Sequence, residues 1–182
     1  RLYISGKYSD FTIVCRDDVH AVHKAIICPR SDFFAAAVDF GKEAIENKIE
    51  LSTDEPEIVK LMIQYLYDWV IANSFYFLQG ISTTDLTAPI IHAKVYAIAE
   101  KYHIQGLKFV AIENFRLATL DVIVNKEFCN AIDVVYTTTP DSDRGLRDLV
   151  VKRIRNIVER IGFPEEVESL CKEIPELAVD VM

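Results

Sequence analysis

Residues 9–38 constrain the fold more than any other stretch, because an alternation of period two gives way there to helical spacing. Phe11, Ile13 and Cys15 fall on one face of a predicted strand, since successive strand side chains point to opposite faces. Two aspartates at residues 17–18 predict a turn into a second short strand. The apolar run that follows lacks this alternation and indicates two short helices. A hairpin that leads straight into helices predicts a mixed α+β domain.

Helices laid against this hairpin account for most of the remaining chain. A short strand predicted at residues 48–51 gives a small three-stranded sheet. The longest predicted helix covers residues 144–161, with an Asp-Ser-Asp cluster before it and Gly162 after it. Apolar stripes predict further helices from Pro56, from Pro89, and over residues 104–118, 126–137 and 164–173. We therefore expect one domain over residues 1–120 and, over residues 121–182, a helical extension packed on its core.

Three connecting segments carry expectations of their own. Residues 1–7 form a leader whose apolar residues 2–4 can pair as a strand with a partner chain. The polar composition of residues 41–47 predicts a loop. Residues 73–89 predict an enlarged loop, and its aromatic strip at residues 75–78 is either part of the core or an exposed contact patch.

Composition and charge exclude several classes of partner. The 182-residue chain has a net charge of −8, and an acidic surface repels phosphate backbones, so we expect no nucleic acid to bind this domain. No apolar run approaches the length that crosses a bilayer. Four scattered cysteines fit a reducing compartment and predict an intracellular protein of the cytoplasm or nucleus. One basic cluster is interspersed with acids and predicts a solvated, self-paired helix face: Arg144, Arg147, Lys152, Arg153, Arg155 and Arg160.

No motif in the sequence predicts catalysis. His20 and His23 lie three apart on a predicted strand, so they point to opposite faces and cannot chelate one ion together. The six glycines never cluster, which leaves no loop able to wrap phosphates with backbone amides. The cysteines have neither the spacing of a metal knuckle nor that of a redox pair. We expect no enzyme activity, cofactor, metal ion or small-molecule substrate, and a function carried by the surface.

Several segments, in order, resemble a BTB/POZ domain. They are S-D-F from Ser9, V-H-K-A-I-I from Val22, S-D-F-F from Ser31, I-E-L from Ile49, D-E-P-E-I-V from Asp54, Y-L-Y from Tyr65 and AKVYAIAEKYHIQGL from Ala93. The likeness extends over residues 8–116. The later run YTTTPDSDRGLRDLVV is similar to the helical extension of fungal members. The resemblance implies a BTB fold with C-terminal helices that acts as a protein–protein interaction module.

The resemblance implies a homodimer interface. In the family this interface uses the leader, the first helix pair and a buried charged pocket. The acid at the start of the first strand corresponds to Asp10 and the base at the end of the hairpin to Lys24. Buried across a two-fold axis, such a pair fixes the register of two copies without necessarily adding stability. The expected interface residues are Leu2, Ile4, Asp10, Lys24, Phe33 and Phe34.

A second surface of the family binds the N-terminal region of a cullin and makes the protein a ubiquitin-ligase substrate adaptor. In the family, cullin binders carry a bulky apolar residue two places before a Glu. Here Glu43 occupies the place of the acid, Gly41 that of the apolar residue, and Phe40 precedes it by one. The helix pair after Asn125 resembles the extension that enlarges the cullin groove in animal adaptors. The alternative is an oligomerising, co-repressor-recruiting module of a transcription regulator.

Overall fold

One small sheet and many helices make up the computed structural model, which describes residues 2–67, 88–120 and 124–182. The strands are β1 (Phe11–Cys15), β2 (Asp18–Val22) and β3 (Lys48–Glu50). The helices are α1 (Leu2–Ser5), α2 (Lys24–Ile27), α3 (Asp32–Asp39), α4 (Gly41–Glu46), α5 (Pro56–Tyr67), α6 (Ala88–Lys101), α7 (Gln105–Ala118), α8 (Lys126–Thr138), α9 (Arg144–Ile161), α10 (Glu165–Glu173) and α11 (Pro175–Val181). The predicted α+β class with a three-stranded sheet is therefore confirmed.

The described residues divide into two compact units. The first contains residues 2–67 and Ile98–Lys108, and the second contains residues 88–97, 109–120 and 124–182. Helices α6 and α7 each contribute to both units, so this division falls inside helices. The expected domain boundary at residue 120 stays a prediction.

The sheet of the first unit has the order β2-β1-β3. Strand β1 pairs antiparallel with β2 and parallel with β3, so Ile13 lies opposite both His20 and Ile49. The predicted inward residues of β1 are buried. The predicted turn position is wrong by one residue, because Asp18 already pairs with Cys15. The two turn residues precede Asp18, and Arg16 takes the positive φ of 54° that a two-residue hairpin turn requires.

Two segments of the first unit are helical where the sequence predicts otherwise. The leader forms α1, because Tyr3 packs on the Tyr67 ring at a centroid distance of 5.2 Å and so holds the segment as a helical turn. The predicted loop over residues 41–47 is α4, which is rich in helix-forming residues. Its end is set by Asn47, whose φ of 49° lies in the left-handed region.

The second unit has a helical core whose helices begin where side-chain caps are available. Asn125 accepts a hydrogen bond from the Phe128 amide and starts α8, and Asp143 accepts one from the Gly145 amide and starts α9. Helix α9 has the predicted bounds, and Gly162 follows it with a φ of 84°. Four helices of this unit contribute buried side chains: Val95, Tyr96, Phe115, Phe128, Ile132, Val135, Leu146, Val150 and Ile154.

Two expectations concern membranes and the enlarged loop. Among the residues that the structure describes, no helix is long and apolar enough to cross a membrane. The predicted aromatic strip at residues 75–78, and nearly all of the predicted loop over residues 73–89, lie outside the described residues.

Candidate protein interaction surfaces

Helix α1 is held on its own chain by two tyrosines and two histidines. The Tyr3 hydroxyl lies 3.4 Å from Nδ1 of His20. Buried His23 donates its backbone N–H to the Tyr67 hydroxyl over 2.8 Å, and its Nδ1 lies 2.6 Å from the same oxygen. Its Nε2 donates to the Lys7 carbonyl over 2.8 Å. His20 and His23 thus contact one aromatic cluster, which the sequence reasoning missed because neither tyrosine is near them in sequence.

The apolar residues predicted for a dimer interface differ in exposure. Leu2 is exposed, and Ile4 is 79% exposed on α1. Phe33 is half-buried and packs edge-on against Tyr102 at a centroid distance of 4.9 Å. Phe34 has no exposed surface and stacks on the same ring at 5.6 Å. Phe34 is therefore a core residue in a single copy and supports Phe33, and its expected role in a dimer interface stays a prediction.

The predicted charged pair, Asp10 and Lys24, makes separate contacts within one chain. The exposed carboxylate of Asp10 accepts the backbone N–H of Lys24 over 2.8 Å and so caps the start of α2. The Lys24 ammonium donates to Oδ1 of Asn47 over 2.5 Å and lies 5.7 Å from the centre of the Phe11 ring. One copy of the chain therefore holds the acid and the base near each other, with each bonded to a different partner.

The three residues compared with cullin binders lie where α3 meets α4. Phe40 is extended and exposed between the two helices. Gly41 has a φ of 77°, and an added Cβ would lie 3.1 Å from the Glu43 carboxylate, so a larger residue is strained there. Glu43 is half-buried in the first turn of α4, and Ile45 on the same helix is 84% exposed. The apolar surface beside Glu43 therefore comes from Phe40 and Ile45.

The four cysteines and the possible metal-binding groups can be assessed within the described residues. Burial raises the pKa of all four free thiols, which makes them poor nucleophiles: Cys15, Cys28, Cys129 and Cys171. Over the described ranges, no three His, Cys, Asp or Glu side chains are grouped to hold a metal ion. What the surface does present is ordered apolar side chains.

A small sheet flanked by helices, with exposed apolar residues on α1 and between α3 and α4, defines a class of α+β interaction domains. The family model of the BTB/POZ domain matches residues 1–117 of the 182-residue chain. The chain belongs to the BTB/POZ domain family. Members of this family are generally non-catalytic, and protein–protein interaction is the function class that membership gives the chain.

Proposed function

We propose that this domain forms a homodimer through a surface that includes Leu2, Ile4 and Phe33. The observation that carries the proposal is that Leu2 and Ile4 are exposed on a helix that Tyr3 anchors to its own chain. An ordered apolar side chain on the surface gains free energy when a partner covers it, at about 25 cal/mol per Å² of buried apolar area. Because the helix is already fixed, little ordering entropy opposes association.

The charged pair gives this dimer its register. On dimerisation the carboxylate of Asp10 faces the Lys24 ammonium of the second copy, which gives up its bond to Asn47. Burial of the pair across the two-fold axis disfavours shifted arrangements, because a shift leaves a charge unpaired. The contact that Asp10 makes with the Lys24 backbone in one chain keeps the two residues close enough for this exchange.

Sedimentation equilibrium at micromolar concentrations tests the dimer. We expect the mass of two copies for the wild type and of one copy for Ile4→Asp. Ile45→Asp is the matched control, since Ile45 is similarly exposed on α4 and lies outside the proposed surface. Asp10→Asn loosens the dimer. A wild-type monomer, or an Ile45→Asp variant that dissociates as readily as Ile4→Asp, contradicts the proposal.

A cullin-type contact is the second function, and the exposure of Phe40 and Ile45 beside Glu43 favours it. In this role the domain presents a substrate to a ubiquitin ligase. Gel filtration with a cullin N-terminal fragment tests it: the two co-elute, Glu43→Lys abolishes the complex and Phe40→Ala weakens it. Ile4→Asp is the control and keeps the complex. Absence of co-elution with the wild type sets the cullin role aside.

We place the protein inside the cell, in the cytoplasm or nucleus. The support is that its four cysteines are free thiols, which persist in reducing compartments. Fluorescence microscopy of the tagged full-length protein tests this, and a signal confined to the secretory pathway contradicts it.

A further inference from the structure

A groove of about 160 Å³ lies between the C-terminal end of α7 and the exposed face of α9. Its apolar surface comes from Leu120 and Leu149, and its rim carries the cations Arg116, Lys152 and Arg153. Asn156 and Thr119 complete the lining. Three cations surround one apolar depression, so the lining of the groove is positively charged although the net charge of the chain is −8. Such a groove suits an apolar side chain followed by carboxylates.

The chain itself carries a segment with that chemistry just after α9. Ile161 is exposed, and Phe163 is 50% exposed. Two exposed carboxylates follow at Glu165 and Glu166, in the first turn of α10. Phe163 does not line the groove of its own chain. A cavity of about 150 Å³ holds a benzene ring, so the groove has room for one phenyl side chain.

We propose that the segment of residues 161–166 from one copy docks into the α7–α9 groove of a second copy. The Phe163 ring enters the groove between Leu120 and Leu149, and the carboxylates of Glu165 and Glu166 face the cationic rim. The Arg116 guanidinium also bonds Glu113 over 2.9 Å.

This contact joins two different surfaces and is therefore heterologous. Each copy offers one segment and one groove, so successive copies form a ring if the rotation closes and an open chain if it does not. The contact shares no residue with the dimer surface of α1 and α3. Together the two contacts make the domain an assembly unit with more than one self-binding surface.

Sedimentation velocity of the 182-residue chain carrying Ile4→Asp tests the proposal, because this background removes the other contact. We expect residual self-association that weakens at least about tenfold with Phe163→Ala, the usual effect of truncating an aromatic anchor. Lys152→Glu has a similar effect, and added salt weakens the contact. Met182→Ala, which shortens another exposed apolar side chain, is the control and leaves association unchanged. Circular dichroism confirms that each variant is folded.

A mixing experiment separates this contact from any symmetric one. In the Ile4→Asp background, the Phe163→Ala chain keeps its groove and the Lys152→Glu chain keeps its segment, so the two bind each other one to one more tightly than either associates with itself. A fluorescein-labelled peptide of residues 161–168 binds the Ile4→Asp chain in fluorescence anisotropy, and the same peptide with Phe163→Ala does not. Absence of a mixed species, or equal binding of both peptides, overturns the proposal. Loss of the α1 dimer alone leaves these outcomes unchanged.

Discussion

Gly145 occupies the first turn of α9 because no side chain fits there. A Cβ at this position would collide with the Tyr96 hydroxyl, which also donates a hydrogen bond to Asp143, the cap of the same helix. Glycine inside a helix costs about 1 kcal/mol relative to alanine. Here the close approach of Tyr96 favours glycine over alanine. The glycine allows α6 to pack closely against α9.

The exchange Gly145→Ala is therefore expected to lower the free energy of unfolding by about 1–3 kcal/mol, the usual cost of overpacking. In a Tyr96→Phe background the penalty shrinks, because the colliding oxygen is gone. Urea denaturation of the wild type, the two single variants and the double variant measures this coupling as a double-mutant cycle. An equal penalty in both backgrounds would show that the hydroxyl is not the obstacle.

His92 is a second single residue with a measurable consequence. Its side chain has no exposed surface, and within the described part of the chain neither ring nitrogen has a hydrogen-bond partner. Burial lowers the pKa of His92 to about 4, from 6.5 in an exposed histidine. The folded state therefore binds fewer protons than the unfolded state, and stability is complete above pH 6.5 and lost as the pH falls toward 4.

Between pH 7 and pH 4 this one group is expected to remove roughly 3 kcal/mol of stability. The variant His92→Leu puts an apolar side chain that does not titrate in the site. We expect it to lack that loss and to be at least as stable as the wild type at pH 7. Chemical denaturation at a series of pH values compares the two chains, and the difference between them isolates His92 from the carboxylates. Parallel pH profiles for the wild type and the variant would contradict the assignment.

At the scale of the element, Arg147 of α9 caps the C-terminal end of α8. It lies in α9 and is 4% exposed. Its guanidinium donates to the carbonyls of Tyr136 and Thr139 at the end of α8, and to the Thr139 hydroxyl. It also bonds Asp141 over 2.7 Å and lies over the Tyr136 ring at 4.6 Å. One planar cation therefore satisfies the last carbonyls of α8 and fixes the turn between the helices.

The exchange Arg147→Lys is expected to cost about 2–4 kcal/mol, since an ammonium cannot reproduce the fork and leaves buried carbonyls unpaired. Arg160→Lys at the exposed end of α9 is the matched control and changes stability by less than about 0.5 kcal/mol. Thermal or urea unfolding followed by circular dichroism measures both. A loss for Arg147→Lys no larger than for the control would mean that solvent replaces these bonds.

Helix α11 is also held by charge. Asp180 accepts from the Tyr136 hydroxyl over 2.8 Å and from the Arg144 guanidinium over 3.0 Å. Burial alone would raise the pKa of Asp180, but these two bonds outweigh it and hold the pKa below its usual value. Arg155 donates to the carbonyls of Asp180 and Val181. Arg144, Arg147 and Arg155 of the predicted basic cluster therefore bond other elements of their own chain.

Local sequence determines helix limits well and buried charges poorly. The bounds of α9 were predictable because an aspartate cap and a following glycine are both local. The sequence predicts a solvent-exposed Arg147 because its side chain is charged, whereas the structure buries it. Its position, three before Val150 and four before Val151, is on the apolar stripe of α9 and indicated the inward face. The helical leader was not predictable, since it depends on Tyr67, distant in sequence.

The candidate surfaces were predictable in part. The positions of Leu2 and Ile4 followed from family resemblance, and the structure adds that they are exposed. The burial of Phe34 was not readable from the sequence, because adjacent phenylalanines on a short helix give no indication of which one faces the core. The groove beside α9 was also missed, since Leu120 follows α7 and Lys152 lies far from it in sequence, on α9.

At the scale of the whole molecule, net charge determines which charged partners are repelled. With a net charge of −8, the chain is expected not to bind a short DNA duplex at physiological salt, in spite of the cations on α9. Fluorescence anisotropy of a labelled duplex measures this over the micromolar range. Binding that weakens steeply with added salt would contradict it and would make the α9 groove a phosphate-binding surface.

The hydrogen bond between Tyr96 and Asp143 bears on where this chain can be truncated without loss of stability. The family match ends at residue 117, so Tyr96 lies within it while its acceptor and Gly145 lie beyond it. A fragment trimmed to the match would leave the Tyr96 hydroxyl without its acceptor and would expose the faces of α6 and α7 that the later helices cover. We therefore expect a fragment that ends at residue 117 to be less stable than the 182-residue chain.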